Sequence, residues 1–372
     1  MKLFCDQKEL DFAVNVVNKA ISPNNTLPVL NNILLKAEGK KLFFSATNLE
    51  IAITCSINAD VRGEGSITIP AKLLTSYIAL LSGEQVEINL IDGFNISLKC
   101  GSSQTKIKGI DPDEFPLIPK VEKGQEIVVG NETLTKAINE TVFASSLNTS
   151  RPVLSGLLIT IAAKDDKLKF VATDSYRLAE KVVKIEKASE EEMSFIVPAR
   201  TMSELAKILG RSQDKEVKIN VTKNQVLFKV DGIELISRLV EGKYPDYEKI
   251  IPAEQKTKVE VSVEDLSLVL KRVSLFAREN NNSVKMAVTN DGKMMVSSEE
   301  TRVGEEKAEI DVKISGENNK ISLNSQYLLD VLTHIGEDKI TLVINDKASP
   351  AVIRLTGEKG DSYVYIIMPL KI

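Results

Sequence analysis

The stretch VATDSYRLAE, residues 171–180, holds an acid, a phenol and an anion-binding side chain: Asp174, Tyr176 and Arg177. Such a trio could serve a hydrolase or transferase as base, proton donor and substrate anchor. The segment SATNLEIAI, residues 45–53, is similar, with Asn48 at the position of Asp174. The similarity allows a second interpretation, in which the acid stabilises a turn that the chain uses more than once.

Other residues that catalysis or metal binding needs are scarce. His334 is the one histidine, which leaves little room for a histidine base or a histidine-rich metal site. The glycines at 63 and 65 lack the rest of a phosphate-binding fingerprint, and DPDE at 111–114 lacks the spacing of a calcium loop. We therefore expect no catalytic residue, no metal site and no cofactor.

Composition indicates a globular protein of two or three domains. The 372 residues are 43% apolar and 27% charged, and no apolar run approaches the roughly 20 residues that a membrane span requires. The N-terminus turns polar too soon for a signal peptide. Three widely spaced cysteines, Cys5, Cys55 and Cys100, are expected to be buried thiols in a reducing cytoplasm. The net charge of −4 argues against a protein that grips nucleic acid mainly by phosphate neutralisation.

The chain contains three copies of one unit. Residues 3–10, 127–134 and 259–266 each read as a short strand, a polar break and the start of a helix. Asp6 and Ser262 fit helix N-caps. The helices that follow repeat one apolar stripe: Leu10, Ala13, Val14, Val17; Leu134, Ala137, Ile138, Thr141; and Leu266, Val269, Leu270, Val273. A second helix recurs as Leu74, Tyr77, Ile78, Leu81; Met202, Leu205, Ala206, Leu209; and Leu328, Val331, Leu332, Ile335.

Alternating segments between the two helices predict antiparallel strands, as in KLFFSATNLEIAITCSINA and KLKFVATDSYRLAEKVVKI. We predict an α+β fold of three tandem domains, each with two helices packed on antiparallel sheet. The predicted boundaries are 1–120, 121–250 and 251–372. A chain of this kind forms a curved object, and two such arcs could close head to tail into a ring. Leu275 lies opposite the apolar stripe of its helix, with Phe276 beside it, which favours a subunit contact there.

Basic residues lie on the predicted helices: Lys72, Lys136, Arg200, Lys207, Arg211, Lys271 and Arg278. They could face DNA. Acidic residues share the same helices, so charge alone favours solvated faces over a surface that faces DNA: Glu132, Glu140, Glu204, Glu264 and Asp330. A protein that held DNA by topology would need only weak attraction.

Six segments together resemble the bacterial sliding clamp family, the beta subunit of DNA polymerase III: TLPVLNNILL (26–35), SRPVLSGLLI (150–159), ATDSYRLA (172–179), VPAR (197–200), LVEGKYPDY (239–247) and YIIMPLKI (365–372). The resemblance covers essentially the whole chain. It implies a non-enzymatic, head-to-tail dimeric ring of six domains, with helices lining a hole that encircles duplex DNA. It also implies a cytoplasmic processivity factor that tethers polymerase, clamp loader and repair proteins through their short peptides.

Family clamps bind these peptides in a cleft between the second and third domains. The matching positions here are Leu154, Thr173, Ser175, Tyr176, Arg177, Leu178, Pro245, Lys249, Ile250, Pro350, Ile366 and Met368. The apolar members suit Leu or Phe anchors. Arg177 and Lys249 are expected to meet peptide carbonyls or acids at the rim. Ser175 departs from the family, where many members have Gly, and Asp174 is expected to brace the turn or hold Arg177.

The resemblance also assigns a dimer interface and two loops near DNA. Lys106 and Ile107 should meet Leu275 and Phe276 of a second subunit, with acidic residues as ionic partners nearby: Glu300, Glu305 and Glu306. Asn148 and Arg151 lie in a loop expected to face DNA. Asn24 and Asn25 replace a basic residue common in the family, which weakens the case for a phosphate contact there. Two other classes stay open, a hydrolase or transferase using Asp174 and Tyr176, and a passive scaffold that never meets DNA.

Overall fold

The computed structural model describes residues 1–23, 27–121, 124–162, 166–185 and 192–370. Asn24 and Asn25 lie outside the described residues. Each sequence copy contributes two helices: α1 (Gln7–Val17) and α2 (Ala71–Ala79), α3 (Asn131–Asn139) and α4 (Ala199–Leu209), α5 (Val263–Ala277) and α6 (Ser325–His334). Short 3₁₀ turns include Val142–Ala144, Glu248–Ile250 and Arg278–Asn280.

Strands make up the rest of each copy. The first copy has β1 (Lys2–Asp6), β2 (Asn32–Glu38), β3 (Lys41–Thr47), β4 (Ile51–Asn58), β5 (Asp60–Gly63), β6 (Gly65–Pro70), β7 (Gln85–Ile91), β8 (Asn95–Cys100) and β9 (Ser103–Lys108). The second has β10 (Gln125–Gly130), β11 (Gly156–Ala162), β12 (Lys167–Thr173), β13 (Arg177–Lys184), β14 (Met193–Pro198), β15 (Glu216–Val221), β16 (Gln225–Val230) and β17 (Ile233–Arg238). The third has β18 (Thr257–Ser262), β19 (Ser283–Thr289), β20 (Lys293–Ser297), β21 (Lys307–Asp311), β22 (Lys313–Gly316), β23 (Asn319–Asn324), β24 (Lys339–Ile344), β25 (Ala351–Leu355) and β26 (Tyr363–Ile367).

Side-chain caps start two helices, α1 and α5, where the sequence predicts them. Asp6 Oδ1 accepts hydrogen bonds from the backbone N–H groups of Lys8 (2.8 Å) and Glu9 (3.0 Å) at the start of α1. Ser262 Oγ accepts one from Asp265 N–H (3.2 Å), at α5. Each cap satisfies donors that have no partner within the helix, which fixes where the helix begins.

The predicted apolar stripes form the helix–sheet core. Every stripe position of α1, α3 and α5 is buried, as are the second-helix positions in copies two and three. Copy one departs from the prediction at two positions. Tyr77, within α2, is only partly buried, and α2 ends at Ala79, before a Gly-containing loop, so Leu81 lies beyond the helix and is also only partly buried. Thr141 replaces an apolar residue in the core, and its hydroxyl donates to the Ala137 carbonyl at 2.6 Å.

The described chain forms two compact units, Met1–Glu132 with Glu204–Leu239, and Thr133–Ser203 with Val240–Ile372. The first contains a five-stranded sheet, β5-β1-β7-β8-β9, and an eight-stranded sheet, β10-β15-β16-β17-β4-β3-β2-β6. The second contains a nine-stranded sheet, β14-β11-β12-β13-β26-β25-β24-β18-β22, and a four-stranded sheet, β21-β20-β19-β23. All strand pairs in these four sheets are antiparallel, as predicted.

Each long sheet joins two sequence copies through one strand pair. In the eight-stranded sheet, β4 of the first copy pairs with β17 of the second, with Ile51 opposite Ser237. In the nine-stranded sheet, β13 of the second copy pairs with β26 of the third, with Arg177 opposite Ile367. The same two strands of the repeat are used both times, so the link between copies is itself repeated.

Candidate partner-binding site

The β12–β13 turn explains the acid at position 174. Asp174 Oδ1 accepts hydrogen bonds from the backbone N–H groups of Tyr176 (2.9 Å) and Arg177 (3.0 Å). Thr173 Oγ1 donates to the Arg177 carbonyl (2.6 Å) and accepts from Ser175 N–H (3.2 Å). Ser175 lies in the left-handed region, with φ 80°. The carboxylate therefore holds a tight turn closed.

The turn between β3 and β4 repeats this arrangement with an amide in place of the acid. Asn48 Oδ1 accepts from the N–H groups of Glu50 (3.1 Å) and Ile51 (2.9 Å), and Thr47 Oγ1 donates to the Ile51 carbonyl (2.9 Å). Leu49 has φ 77°, so neither turn uses glycine at its left-handed position. The structural interpretation of Asp174 is thus favoured over the catalytic one, and Ser175 fits the turn without distorting its pattern.

Arg177 is turned into the protein. Its Nε donates to Asp174 Oδ2 (3.0 Å), its Nη1 to Asp330 Oδ2 on α6, and its Nη2 to the Phe143 carbonyl (3.0 Å). The guanidinium also stacks 4.5 Å from the centre of the Tyr327 ring. These partners occupy three of its five N–H donors and the side chain is largely buried, so the predicted contact of Arg177 with peptide groups at the rim stays a prediction that depends on its remaining donors.

An aromatic cluster supports this arginine. Phe143 stacks on His334 with ring centres 4.5 Å apart, and Tyr365 donates to the Tyr327 carbonyl at 3.0 Å. Burial by itself lowers the pKa of Arg177, but Tyr365 and the carboxylates of Asp330 and Asp174 outweigh it and raise the pKa. The side chain is therefore permanently charged and acts as a tie between the β12–β13 turn and α6.

Several predicted site residues meet at one end of the nine-stranded sheet. The β12–β13 turn lies there, and Met368 N–H donates to the Tyr176 carbonyl (2.9 Å) just past the end of β26. Pro350 directly precedes β25, whose first residue pairs with Ile367. Leu154 lies two residues before β11, which starts at this same end because it is antiparallel to β12. The strand register thus brings together segments about 200 residues apart in sequence.

Two of the predicted socket residues are core instead. Leu178 and Ile366 are opposite each other on β13 and β26 and are fully buried in one cluster: Leu158, Val171, Leu178, Ile196, Tyr244, Tyr247, Val343, Val352, Val364 and Ile366. They lie beneath the site with almost no exposed surface, and their predicted role in lining a socket for peptide anchors stays a prediction. Leu154 and Thr173 are also buried.

Exposed apolar side chains remain available above this core. Tyr176 is 64% exposed, Ile250 41% and Met368 37%. Pro245 is exposed in the segment that follows β17, and Lys249 is exposed with its ammonium 2.5 Å from Asp246 Oδ2. Grouped exposed apolar side chains of this kind are typical of binding surfaces.

The segment after β17 is fixed by two tyrosines. Tyr244 donates to the Val171 carbonyl (3.3 Å), and Tyr247 donates to Glu180 Oε2 (2.7 Å). Burial raises the pKa of Tyr247, and the Glu180 carboxylate raises it further, so the phenol stays a donor at physiological pH. The segment that carries Pro245, Lys249 and Ile250 is therefore held on the sheet.

Sequence reasoning missed the residues that organise the site from α6. Tyr327 and Asp330 lie on α6, yet both contact Arg177, 150 and 153 positions earlier in the chain. From the sequence, Asp330 is only one of the acids that offset the positive charge of the helices. The sequence offers one weak signal for this role: Tyr327 directly precedes Leu328, the first residue of the buried stripe of α6.

The predicted DNA-facing residues are mostly exposed but differ in their pairing. Lys72, Arg151, Arg211, Lys271 and Arg278 are exposed. Lys207 pairs with Glu204 (2.9 Å), and Lys136 pairs with both Glu140 and Glu337 (3.5 Å each). Asn148 Oδ1 accepts from Ser150 N–H, and Arg200, on α4, is exposed and makes other contacts. Glu140 is buried beside Lys181 (2.7 Å), so it is not the solvated acid that its sequence position indicated.

The predicted dimer residues lie on two edges. Lys106 and Ile107 are on β9, where Lys106 is exposed and Ile107 is buried. Leu275 is 56% exposed and Phe276 half-buried at the end of α5, which packs on β21. Glu300 is exposed; Glu305 pairs with Lys307 (2.9 Å) and Glu306 with Arg272 (3.5 Å).

Reactive groups are few in the described part of the chain. The three cysteines are buried and unpaired, as predicted, and burial raises the pKa of Cys5 and Cys55 to about 12, which leaves both thiols unreactive. The described residues contain no cluster of three potential metal ligands. None of the described helices has the length and apolar character needed to cross a membrane.

Comparison with known proteins gives consistent matches along the chain. The DNA polymerase III beta subunit models match in order: the N-terminal domain at 1–119, the central domain at 128–246 and the C-terminal domain at 248–371. The beta sliding clamp of Staphylococcus epidermidis is 33% identical, and that of Staphylococcus aureus 32%, each over 97% of both chains.

Solved structures show the same similarity. The DNA polymerase III beta subunit of Thermotoga maritima is 28% identical with a TM-score of 0.93, and the DNA polymerase sliding clamp of Bacillus subtilis is 29% identical with a TM-score of 0.93. Each comparison covers 100% of this chain and 99% of the other. The predicted α+β fold of three tandem domains is confirmed.

Proposed function

Because this chain belongs to the DNA polymerase III beta subunit family, the non-catalytic processivity factors known as beta sliding clamps, we propose that it forms a head-to-tail dimeric ring around duplex DNA. The ring slides on DNA in the cytoplasm and tethers polymerase, clamp loader and repair proteins. In each subunit of this ring, the three domains have the predicted boundaries 1–120, 121–250 and 251–372.

One observation supports the dimer. Two strand pairs link consecutive copies within the chain, and the strands that would form a third such pair lie at the edges of their sheets. Within the described chain, β4 pairs with β17 and β13 pairs with β26. The corresponding strands left over are β21, which ends the four-stranded sheet, and β9, which ends the five-stranded sheet. Each has a partner on one side only among the described strands. Pairing β21 of one chain with β9 of another, twice, uses all four edges in a head-to-tail dimer.

The repeat also sets the register of this pairing. In each copy, a backbone hydrogen bond closes the connection that precedes the linking strand. Its acceptor is the carbonyl of Ile51 in copy one, Arg177 in copy two and Glu306 in copy three. Their partners at the two links are Ser237 and Ile367, and the same position on β9 is Ile107. Ile107 is therefore placed opposite Glu306, and Thr105 opposite Ala308. Leu275 and Phe276 lie at this edge because α5 packs on β21.

The charge distribution suits a ring that holds DNA by enclosure. Two of the lysines assigned to DNA, Lys136 and Lys207, are paired with neighbouring carboxylates, and the net charge is −4. Phosphate contacts by the remaining exposed basic side chains are few, so direct affinity for DNA is low and sliding is not impeded. Lys72, Arg151, Arg211, Lys271 and Arg278 are the residues we assign to these contacts.

The end of the nine-stranded sheet is the surface we assign to partner peptides. Tyr176, Ile250 and Met368 supply exposed apolar area, with Pro245 and Pro350 at its borders. Leu or Phe side chains of a peptide would be buried against these residues, while the core beneath stays fixed. Methionine adapts its shape to different partners, which suits a surface that serves several proteins.

A cross-link tests the dimer register. Thr105→Cys with Ala308→Cys places two thiols opposite each other at a position equivalent to Tyr365 and Ala179, which are opposite on β26 and β13. Opposite residues in antiparallel strands have Cα atoms about 4.5–5.5 Å apart, which a disulfide spans. Mild oxidation should convert most of the protein into a covalent dimer on a non-reducing gel.

Gln104→Cys with Ala308→Cys is the matched control. One residue out of register, its thiols lie on opposite faces of the joined sheet and should cross-link poorly. Equal yields from the two pairs, or chains that stay monomeric on oxidation, would show that β9 and β21 do not pair in this way.

A further inference from the structure

We infer that the buried ion pair of Glu140 and Lys181 makes β13 pair with β26 and not with the equivalent strands of the other links, β17 and β9. The three links of the proposed ring use the same two strands of the repeat, so each linking edge could join a wrong strand. The inference rests on the assignment of β9 and β21 as the edges that join two chains. We call the role of the ion pair strand selection.

The pair is a charged exception in an apolar core. Lys181 Nζ lies 2.7 Å from Glu140 Oε2, and the two side chains are 8% and 1% exposed. Lys136 Nζ lies 3.5 Å from the other carboxylate oxygen. Desolvating two charges costs about as much free energy as their attraction returns, so a buried pair of this kind is better explained by specificity than by stability.

Copies one and three have other residues at these two positions. In copy one, the equivalent residues of helix and strand are Val16 and Cys55, and both are buried. In copy three, the strand residue is Ile310, which is also buried, whereas Arg272 on the helix is 52% exposed. The fold therefore accepts apolar residues at this place, and the buried ion pair distinguishes the link between copies two and three.

Tyr363 on β26 completes the pair. It lies opposite Lys181 in the strand register, and the ammonium is 5.7 Å from the centre of its ring, which is a cation–π distance. The Tyr363 hydroxyl donates to the Glu140 carbonyl at 3.0 Å. Burial raises the pKa of Tyr363 well above its usual value, so the phenol keeps its proton and remains a donor at physiological pH.

The equivalent residues of the other linking strands have no such side chain. At the link between copies one and two this residue is Ile233, directly before Glu234, which pairs with Thr54. On β9 it is Ser103, two residues before Thr105. Neither side chain has an aromatic face for the ammonium. Pairing β13 with β17 or β9 would therefore leave the buried lysine less well compensated, which costs free energy.

A mispairing reporter tests the inference. It carries Ala179→Cys on β13 and Thr105→Cys on β9, which lie opposite each other if these two strands pair, because Ala179 is equivalent to Ala308. In the native pairing, position 179 is buried opposite Tyr365 and its thiol is shielded. The reporter chain is unfolded in denaturant, refolded by dilution at micromolar concentration and oxidised. Covalent multimers are then quantified on a non-reducing gel.

Glu140→Val with Lys181→Ile, added to the reporter, replaces the ion pair with residues that copies one and three have there. We expect the multimer yield to rise at least about tenfold over the reporter alone, because the penalty against β9 is removed. The midpoint of thermal unfolding should fall by no more than about 3 °C, since apolar residues of similar volume replace buried ion pairs at little cost. Glu140→Gln alone leaves Lys181 unpaired and should lower the midpoint by about 5 °C or more.

Ile138→Ala in the reporter is the matched control for lost stability. Ile138 is fully buried on α3, two residues before Glu140, so its truncation leaves a cavity and lowers the midpoint of thermal unfolding. The ion pair stays in place. We therefore expect the same multimer yield as from the reporter alone.

Each outcome decides between the proposals. Equal multimer yields with and without the ion pair, or an equal rise with Ile138→Ala, would overturn strand selection while the proposed ring stands. A double variant as unstable as Glu140→Gln would also overturn it, since the pair would then serve stability. If Thr105→Cys with Ala308→Cys fails to join two chains, the joining edges are wrong, and strand selection fails with the ring.

Discussion

Changing Leu275 to Ala and Phe276 to Lys is expected to convert the dimer into monomers at micromolar concentration. Leu275 is 56% exposed in the single chain, so its burial at a junction contributes about 2 kcal/mol, and a lysine in place of half-buried Phe276 adds an unpaired charge. A head-to-tail dimer contains the junction twice. The combined loss of about 6 kcal/mol or more raises the dissociation constant by at least roughly four orders of magnitude.

Sedimentation velocity over a concentration series measures this change. Leu268→Ala is the matched control, because Leu268 is also 56% exposed on α5 but lies two turns farther from the end that meets β21. It should stay dimeric. The single change Leu275→Ala, which leaves Phe276 in the fold, should give an intermediate dissociation constant. A double variant that sediments as a full dimer would refute the assignment of this edge.

Replacing Ile250 and Met368 with Ser is expected to weaken binding of a synthetic hexapeptide that carries Leu and Phe anchors at least about 100-fold while leaving the dimer intact. Both side chains are exposed and neither belongs to the buried cluster, so folding should be little affected. Each loses the apolar burial that a peptide anchor provides, about 1.5–3 kcal/mol per side chain. Residues at the centre of an interface dominate affinity in this way.

Met295→Ser provides the control for this variant. Met295 is 37% exposed, the same fraction as Met368, but lies on β20 in the four-stranded sheet. Calorimetry should show wild-type affinity for Met295→Ser and no detectable heat for the double variant. If the double variant binds as tightly as the wild type, partner peptides dock elsewhere.

Periodicity predicted the repeated parts of this protein well. The stripes that begin at Leu10, Leu134 and Leu266 are all buried, because helical spacing alone decides which face meets the sheet. The shared pattern at Asn48 and Asp174 correctly indicated one turn used twice, since both residues hydrogen-bond to groups two or three positions away. Local hydrogen bonds of this kind can be inferred from sequence.

The parts of the site that depend on distant pairing could not be predicted. The direction of Arg177 is set by Asp330, 153 residues later, and no local signal connects them. Leu178 and Ile366 read as anchors on exposed strand ends, but pairing of β13 with β26 and the cover of Tyr244 and Tyr247 bury them. A strand that joins two copies has both of its faces covered. The alternation of apolar and polar residues within that one strand does not predict burial of the second face.

The most direct test of the account is to close the ring covalently on DNA. The variant with Thr105→Cys and Ala308→Cys is incubated in reduced form with nicked circular DNA and then oxidised. We expect a fraction of the protein to stay with the circle through denaturing detergent and 1 M salt, and to be released when the DNA is cut once. Release from intact circles under these conditions, or retention that survives linearisation, would contradict enclosure of DNA by a dimeric ring.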